Sequence, residues 1–120
     1  MSAKTNGRLS DDDLWEMANL YPEDTGLPMT VWARPRGNAR HDVSVKVSRT
    51  HGKRMTAGNT ASVGVRPVPH LAAGELRPKD QIAVFQWTAL NREALVDYWT
   101  GRIATGEFLR RLQRLTEETP

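Results

Sequence analysis

Three short stretches alternate apolar and polar residues with a period of two, and this pattern constrains the fold more than any other feature. They are MTVWAR (29–34), DVSVKVS (42–48) and TASVGVR (60–66). β-Branched residues at every second position are typical of half-buried antiparallel strands, in which successive side chains point to opposite faces. The sequence therefore predicts three strands. On this parity, one group of side chains shares the face opposite the valines: Trp32, Arg34, Lys46 and Arg66.

Apolar residues recur at helical spacing on either side of the strands. The spacing predicts a short N-terminal helix over 11–20 and three C-terminal helices over 78–90, 92–99 and 106–115. In the first of the three, Ile82, Phe85 and Ala89 recur on one face, with Val84 and Trp87 beside them, and we expect this side to be apolar and buried. The last should bury its leucines and one phenylalanine: Phe108, Leu109, Leu112 and Leu115. Segment 66–80 is punctuated by prolines and is expected to cross from the strands to the helices, with Pro78 in the first helical turn.

Segregated strands and helices indicate an α+β fold. We expect a three-stranded antiparallel sheet packed against the C-terminal helices, with the short N-terminal helix at its edge. At 120 residues the chain is long enough for one domain. The predicted domain covers residues 10–120, and residues 1–9 are expected to be a disordered tail.

Composition excludes several kinds of chemistry. The chain has no cysteine, so disulfides, thiolate nucleophiles and cysteine-ligated zinc are excluded. The N-terminus MSAKTNGRLSDDD lacks the apolar core of a signal peptide, and no apolar run is long enough for a membrane span. We therefore expect a cytoplasmic protein that does not interact with a membrane.

Charge is unevenly distributed along the chain. Residues 1–28 carry a net charge of −4, residues 29–55 carry +6 and residues 56–120 carry +1. The excess is concentrated in the predicted hairpin and the loop after it. Such local charge density attracts anionic partners. The candidate anion-binding residues are Trp32, Arg34, Arg36, Arg40, Lys46, Arg49, Lys53, Arg54 and Arg66. The alternative is a solvated sheet face whose cations discourage edge pairing, with Trp32 covered by the N-terminal helix.

Histidines give two further hypotheses. His41 precedes Asp42, and a histidine with a nearby carboxylate can act as a general base. Adjacent residues on a strand point to opposite faces, however, so Asp42 is poorly placed to orient His41. The spacing of His41, His51 and His70 matches no metal-ligand pattern, and we expect two of them in flexible loops. We therefore predict no metal and no cofactor.

Trp87 and Trp99 are a further candidate site. On one continuous helix they would lie about a third of a turn apart, at 100° per residue. Tryptophans anchor protein interfaces, and they also fill cores. Both interpretations stay open from the sequence.

The turn ARHDV (39–43), the run Gly74-Glu75-Leu76-Arg77-Pro78 and the later residues Trp87, Leu90, Asn91, Leu95 and Trp99 carry a resemblance. Together they resemble the bacterial family called domain of unknown function 4160. The resemblance covers residues 29–99 and is clearer at 74–99 than at the strands. In this chain Ala39-Arg40 replace the family's paired prolines, and His41 is the one turn histidine that remains. The resemblance implies a toxin–antitoxin or mobile-element locus, since members are encoded beside another small protein.

Two functional hypotheses follow. The first is a non-enzymatic binding or regulatory module of a phage, mobile element or toxin–antitoxin locus. It would bind nucleic acid, a protein complex or a nucleic-acid-bound complex through the basic hairpin, for example as an inhibitor of a host defence complex. The second is a small ribonuclease toxin that uses His41 with Arg40, Lys46 or Arg49. We favour the first, because no second catalytic group accompanies His41 in the sequence.

Overall fold

A computed structural model describes residues 17–116 of the chain. Five antiparallel strands form one sheet in the order β1-β2-β3-β4-β5, so each strand pairs with its neighbour in sequence. The strands are β1 (Ala18–Leu20), β2 (Met29–Ala33), β3 (Ser44–His51), β4 (Thr60–Gly64) and β5 (His70–Ala73). The helices are α1 (Pro22–Thr25), α2 (Pro78–Leu90), α3 (Arg92–Trp99) and α4 (Thr105–Arg111). The predicted α+β class is confirmed, but the sheet has five strands instead of three.

Both extra strands lie at the edges of the sheet. Residues 18–20 were predicted to be helical, yet Ala18 pairs with Ala33 and Leu20 with Val31. The short run Ala-Asn-Leu fits either period, and burial of its two apolar residues against β2 favours the strand. The remainder of the predicted N-terminal helix, residues 11–16, lies outside the described residues, as does the predicted tail. The segment 66–80, expected to cross from the strands to the helices, contains β5, whose His70 pairs with Gly64.

The alternating valines face the core as predicted. Val31, Val45, Val47 and Val63 are each at most 2% exposed, and they pack in one cluster with α2, α3 and α4. Fully burying a valine side chain contributes about 1.5–3 kcal/mol, so this row is a major source of stability. Trp87 and Trp99 belong to the same cluster and are buried, so their role in the core is confirmed.

The buried face of α2 differs from the prediction. Ile82 is 61% exposed, whereas Val84, Trp87 and Thr88 are buried. Asp80 shares this buried face, because positions 80, 84, 87 and 88 are one turn apart on the helix. At the start of the helix the carboxylate of Asp80 accepts hydrogen bonds from His51 Nε2 at 3.0 Å, which joins this face to the end of β3.

Helix α4 ends earlier than predicted. It stops at Arg111, and residues 112–116 continue in an extended conformation. The backbone N–H of Leu115 donates to the carbonyl of Thr25 at 2.7 Å, which fixes this segment beside α1. Within the helix Leu109 is 48% exposed rather than buried, while Phe108 is fully buried as predicted. Leu112 and Leu115 are half-buried on the extended segment.

Candidate functional site

The loop between β2 and β3, residues 34–43, is fixed to the core through Trp99. The backbone N–H of Arg36 donates to the Trp99 carbonyl at 2.9 Å. The Arg34 guanidinium lies 5.9 Å from the centroid of the indole, and the His41 ring lies 5.3 Å from it at a tilt of 38°. Within the loop, Gly37 adopts a positive φ of 54°, a conformation that glycine accepts without strain. These contacts give the basic loop residues a defined position at one end of the sheet.

Asp42 and Arg66 form a two-pronged ion pair at this end. The Arg66 Nε and Nη2 atoms both donate to the Asp42 carboxylate, at 2.9–3.1 Å. The Arg66 guanidinium lowers the pKa of Asp42, and the Asp42 carboxylate raises the pKa of Arg66. Both side chains are partly exposed, so the pair contributes orientation more than stability.

His41 does not use the Asp42 carboxylate. Its Nδ1 atom lies 2.7 Å from the Asp42 backbone carbonyl. Because a carbonyl oxygen only accepts hydrogen bonds, Nδ1 carries the proton. In the neutral ring, Nε2 is then the atom with the lone pair. The expectation that Asp42 does not orient His41 through its carboxylate agrees with this geometry.

A depression of about 600 Å³ opens between the loop and the end of α3. We call it the cationic depression. It contains three guanidinium groups and one carboxylate, and that carboxylate is already engaged by Arg66. The residues that line it are Pro35, Arg36, Gly37, Arg40, His41, Asp42, Arg66, Trp99, Thr100 and Gly101. Three arginines beside one paired acid make it suitable for a ligand with several negative charges.

A second pocket, of about 370 Å³, lies on the sheet face opposite the core. Trp32 and Lys46 are directly paired across β2 and β3, so both project from that face as predicted. We call this the tryptophan pocket. Its lining residues are Met17, Trp32, Ala33, Arg34, His41, Ser44, Lys46, Ala57 and Thr60. A half-buried indole beside a lysine offers a planar group a stacking surface and a nearby cation.

A third depression, also about 370 Å³, continues across the same face toward β5. We call it the histidine depression, because it contains both His41 and His70. Lys46 lies in it too, and its Nζ donates to Ser62 Oγ at 3.1 Å. The remaining lining residues are Asp42, Val43, Ser44, Ser62, Gly64, Arg66, Ala72 and Ala73.

His41 lines all three of these spaces. They therefore adjoin one another around one side chain, and together we call them the outer groove. The outer groove combines several of the predicted residues: Trp32, Arg34, Arg36, Arg40, Lys46, Arg66 and His41. It also includes His70, which was considered from the sequence only as a metal ligand and rejected. Pairing of β4 with β5 places His70 opposite Gly64, and that pairing was not predicted from the sequence.

The other predicted cations lie elsewhere. Lys53 is paired with Glu23 at 2.9 Å and lies 5.6 Å from the Tyr21 ring centroid, beyond the far end of β3. The Lys53 ammonium lowers the pKa of Glu23, and Glu23 raises the pKa of Lys53. Arg54 follows Lys53 in this loop, and Arg49 lines a separate depression with Arg77 and Asp80. The ends of β3 are about 23 Å apart at about 3.3 Å per residue, so the basic stretch is divided into two regions.

The other two histidines were expected in flexible loops, and both lie in strands. His51 ends β3 and is bonded to Asp80, which is only 6% exposed, so it joins the sheet to α2. His70 begins β5. Among residues 17–116, no three His, Cys, Asp or Glu side chains are placed to share a metal ion. The same residues contain no helix that is long and apolar enough to cross a membrane.

Comparison with known proteins leaves the site to be interpreted from its own geometry. No protein-family model, curated protein or solved structure matches the chain.

Proposed function

We propose that this protein binds single-stranded nucleic acid in the outer groove, as a small binding module of the kind found in phage, mobile-element or toxin–antitoxin loci. The observation that carries the proposal is the position of His41, where the cationic depression meets the tryptophan pocket. A strand presents alternating phosphates and bases. The groove offers guanidinium groups and an indole side by side, which suits that alternation.

The cationic depression supplies the phosphate contacts. The guanidinium of Arg66 is oriented by Asp42, which leaves its Nη1 atom outside the pair. Arg36 donates from Nε to the Ala39 carbonyl at 3.2 Å, so its position is also constrained. Arg40 has no hydrogen bond or ion pair with any of residues 17–116. Guanidinium groups held by other contacts lose less conformational entropy when they bind a phosphate.

We expect single strands to be favoured over duplexes, because Trp32 lies on an open sheet face where an unpaired base can stack on it. Base stacking needs an unpaired base, and a base stacked on an aromatic side chain contributes about 1–3 kcal/mol. Lys46 projects beside Trp32 and can meet the next phosphate. Among residues 17–116, Trp32 is the half-buried indole of the groove and Trp99 is buried, so we expect modest sequence preference and strong dependence on salt.

The test is fluorescence anisotropy with a labelled oligonucleotide, using a charge-matched pair of double variants. R36E/R40E should weaken binding at least tenfold. The control R54E/R110E makes the same change in net charge at exposed positions away from the groove and should change affinity less than twofold. Trp32→Ala should weaken single-strand binding by roughly tenfold, in line with the stacking contribution.

Three outcomes would contradict the proposal. Equal losses in both double variants would mean that binding depends on net charge alone. Equal affinity for a duplex of the same sequence would remove the role of stacking. Binding to an acidic peptide as tight as to the oligonucleotide would identify the partner as an acidic protein surface instead.

A further inference from the structure

His41 and His70 both line the histidine depression, although they belong to different parts of the fold. His41 ends the β2–β3 loop, and His70 begins β5. Each ring donates from Nδ1 to a backbone carbonyl at 2.7 Å: His41 to Asp42 and His70 to Val68. Both rings thus have Nδ1 protonated and leave Nε2 to exchange a proton with a ligand.

The His70 ring has an unusually close neighbour in β4. It lies against Gly64, where a Cβ atom would collide with the Cε1 and Nε2 atoms of the ring. Only glycine permits this approach. The ring is therefore held over the open face of the sheet instead of projecting past its edge.

Cations complete the depression. Lys46 and Arg66 line it, and Asp42, its carboxylate, is paired with Arg66. A pentavalent phosphorane-like transition state carries more negative charge on its oxygens than the ground-state diester. A lysine and an arginine near the reacting phosphate would stabilise that added charge.

We propose that His41 and His70 act as a general acid–base pair that cleaves RNA bound in the outer groove. This inference rests on the proposed strand binding and adds a reaction to it. Nε2 of one neutral imidazole removes the proton from a ribose 2′-hydroxyl. The 2′-oxygen attacks the adjacent phosphorus, and the bond from phosphorus to the 5′-oxygen breaks.

The other imidazole, protonated, donates its Nε2 proton to the departing 5′-oxygen. The products are a 2′,3′-cyclic phosphate and a 5′-hydroxyl. One proton is taken and one is given, so atoms and charge balance, and no oxidant or further reactant is needed. DNA lacks the 2′-hydroxyl and is bound without being cleaved.

The experiment uses the full chain with a labelled RNA oligonucleotide and an all-DNA strand of the same sequence. Cleavage of the RNA and binding of the DNA are measured on the same preparations. His41→Phe and His70→Phe keep an aromatic ring against Trp99 and Gly64 but remove the nitrogens. Each should lower the cleavage rate at least a hundredfold, within the usual contribution of general acid–base catalysis. Because both rings line the groove, we expect each variant to weaken DNA binding as well, but the loss of cleavage should exceed the loss of DNA affinity by at least tenfold.

The control is His51→Gln, which removes the remaining histidine and keeps a side-chain donor for Asp80. It should cleave at the parent rate. His41→Asn and His70→Asn retain a donor near the Nδ1 position, and they should be as inactive as the phenylalanine variants. Circular dichroism melts establish that each variant is folded.

The outcomes separate the two proposals. DNA binding without RNA cleavage in the parent protein refutes the catalytic pair and leaves strand binding intact. If the unmodified protein neither binds DNA nor cleaves RNA, strand binding and the catalytic pair are both refuted. Cleavage that survives the substitution of either histidine also refutes the pair, and so does a product that carries a 5′-phosphate.

Discussion

Asn91 offers the sharpest test of how the C-terminal segment is held. Its side chain lies between α2 and the extended residues 112–116 and is 3% exposed. Its Nδ2 donates to the carbonyls of Trp87 and Gln113 at 3.0 Å each, and its Oδ1 accepts from the Gln113 N–H at 2.7 Å. One amide side chain thus pairs with the backbone as a neighbouring strand would.

The magnitude of an Asn91→Ala change follows from these three bonds. A hydrogen bond contributes a net 0.5–1.5 kcal/mol on average, roughly 1 kcal/mol each. Water can reach the partly exposed Gln113 groups after the substitution, which reduces the loss. We expect the free energy of unfolding to fall by about 2–3 kcal/mol, and the melting temperature by roughly 10 °C for a domain of this size.

Urea unfolding monitored by tryptophan fluorescence measures the change. Gln113→Ala is the matched control, because Asn91 binds the Gln113 backbone and the Gln113 side chain is exposed. That control should change stability by less than about 0.5 kcal/mol. Asn91→Asp keeps the acceptor but cannot donate to the two carbonyls, so it should be at least as destabilising as Asn91→Ala. A loss below about 0.5 kcal/mol in Asn91→Ala, or an equal loss in Gln113→Ala, would refute the reasoning.

Three further predictions concern single positions. Thr88 Oγ1 is buried without a hydrogen-bond partner in residues 17–116. Thr88→Val should therefore raise the free energy of unfolding by about 1 kcal/mol, and a lower free energy in urea unfolding would contradict this. Gly64→Ala should displace the His70 ring and lower RNA cleavage while DNA binding persists, and unchanged His70 ring resonances in NMR would count against the clash. Arg66 lowers the pKa of Asp42. The pair's contribution to stability is therefore complete above the ordinary aspartate pKa of about 3.9. It is lost as the pH falls through the lowered pKa of the folded state. A carboxyl NMR titration should therefore give an Asp42 midpoint below that value, and Arg66→Gln should move it upward; an unmoved midpoint would exclude Arg66 as the cause.

The sheet was predictable where many β-branched residues repeat and unpredictable where a strand is short. The valines of β3 and β4 have one compatible period, so their burial follows from the sequence. Residues 18–20 and 70–73 contain too few alternations to distinguish a strand from a helix or a loop. Their structure is decided by pairing with β2 and β4, and a pattern of three or four residues does not reveal that pairing.

The candidate site was predictable to the same extent. Parity along the strands placed Trp32 and Lys46 on one face, and the register confirms that they are direct neighbours. The division of the basic residues into two regions could not be predicted from the sequence. The length of β3 and the course of its flanking loops determine which cations lie close together. His70 was missed since its approach to His41 depends on β5, a strand that the sequence did not indicate.

The convergence of cations in the outer groove has an energetic consequence. Like charges brought together in one depression repel, so an unliganded basic loop is expected to spread into solvent unless other contacts hold it. Here the Arg36 backbone is bonded to Trp99, and Arg66 is fixed by Asp42. Packing of the core around Trp99 therefore holds the cations close together in the free protein, although their mutual repulsion is unfavourable. A bound polyanion would relieve that repulsion, and binding at the groove is for this reason linked to the stability of the whole fold.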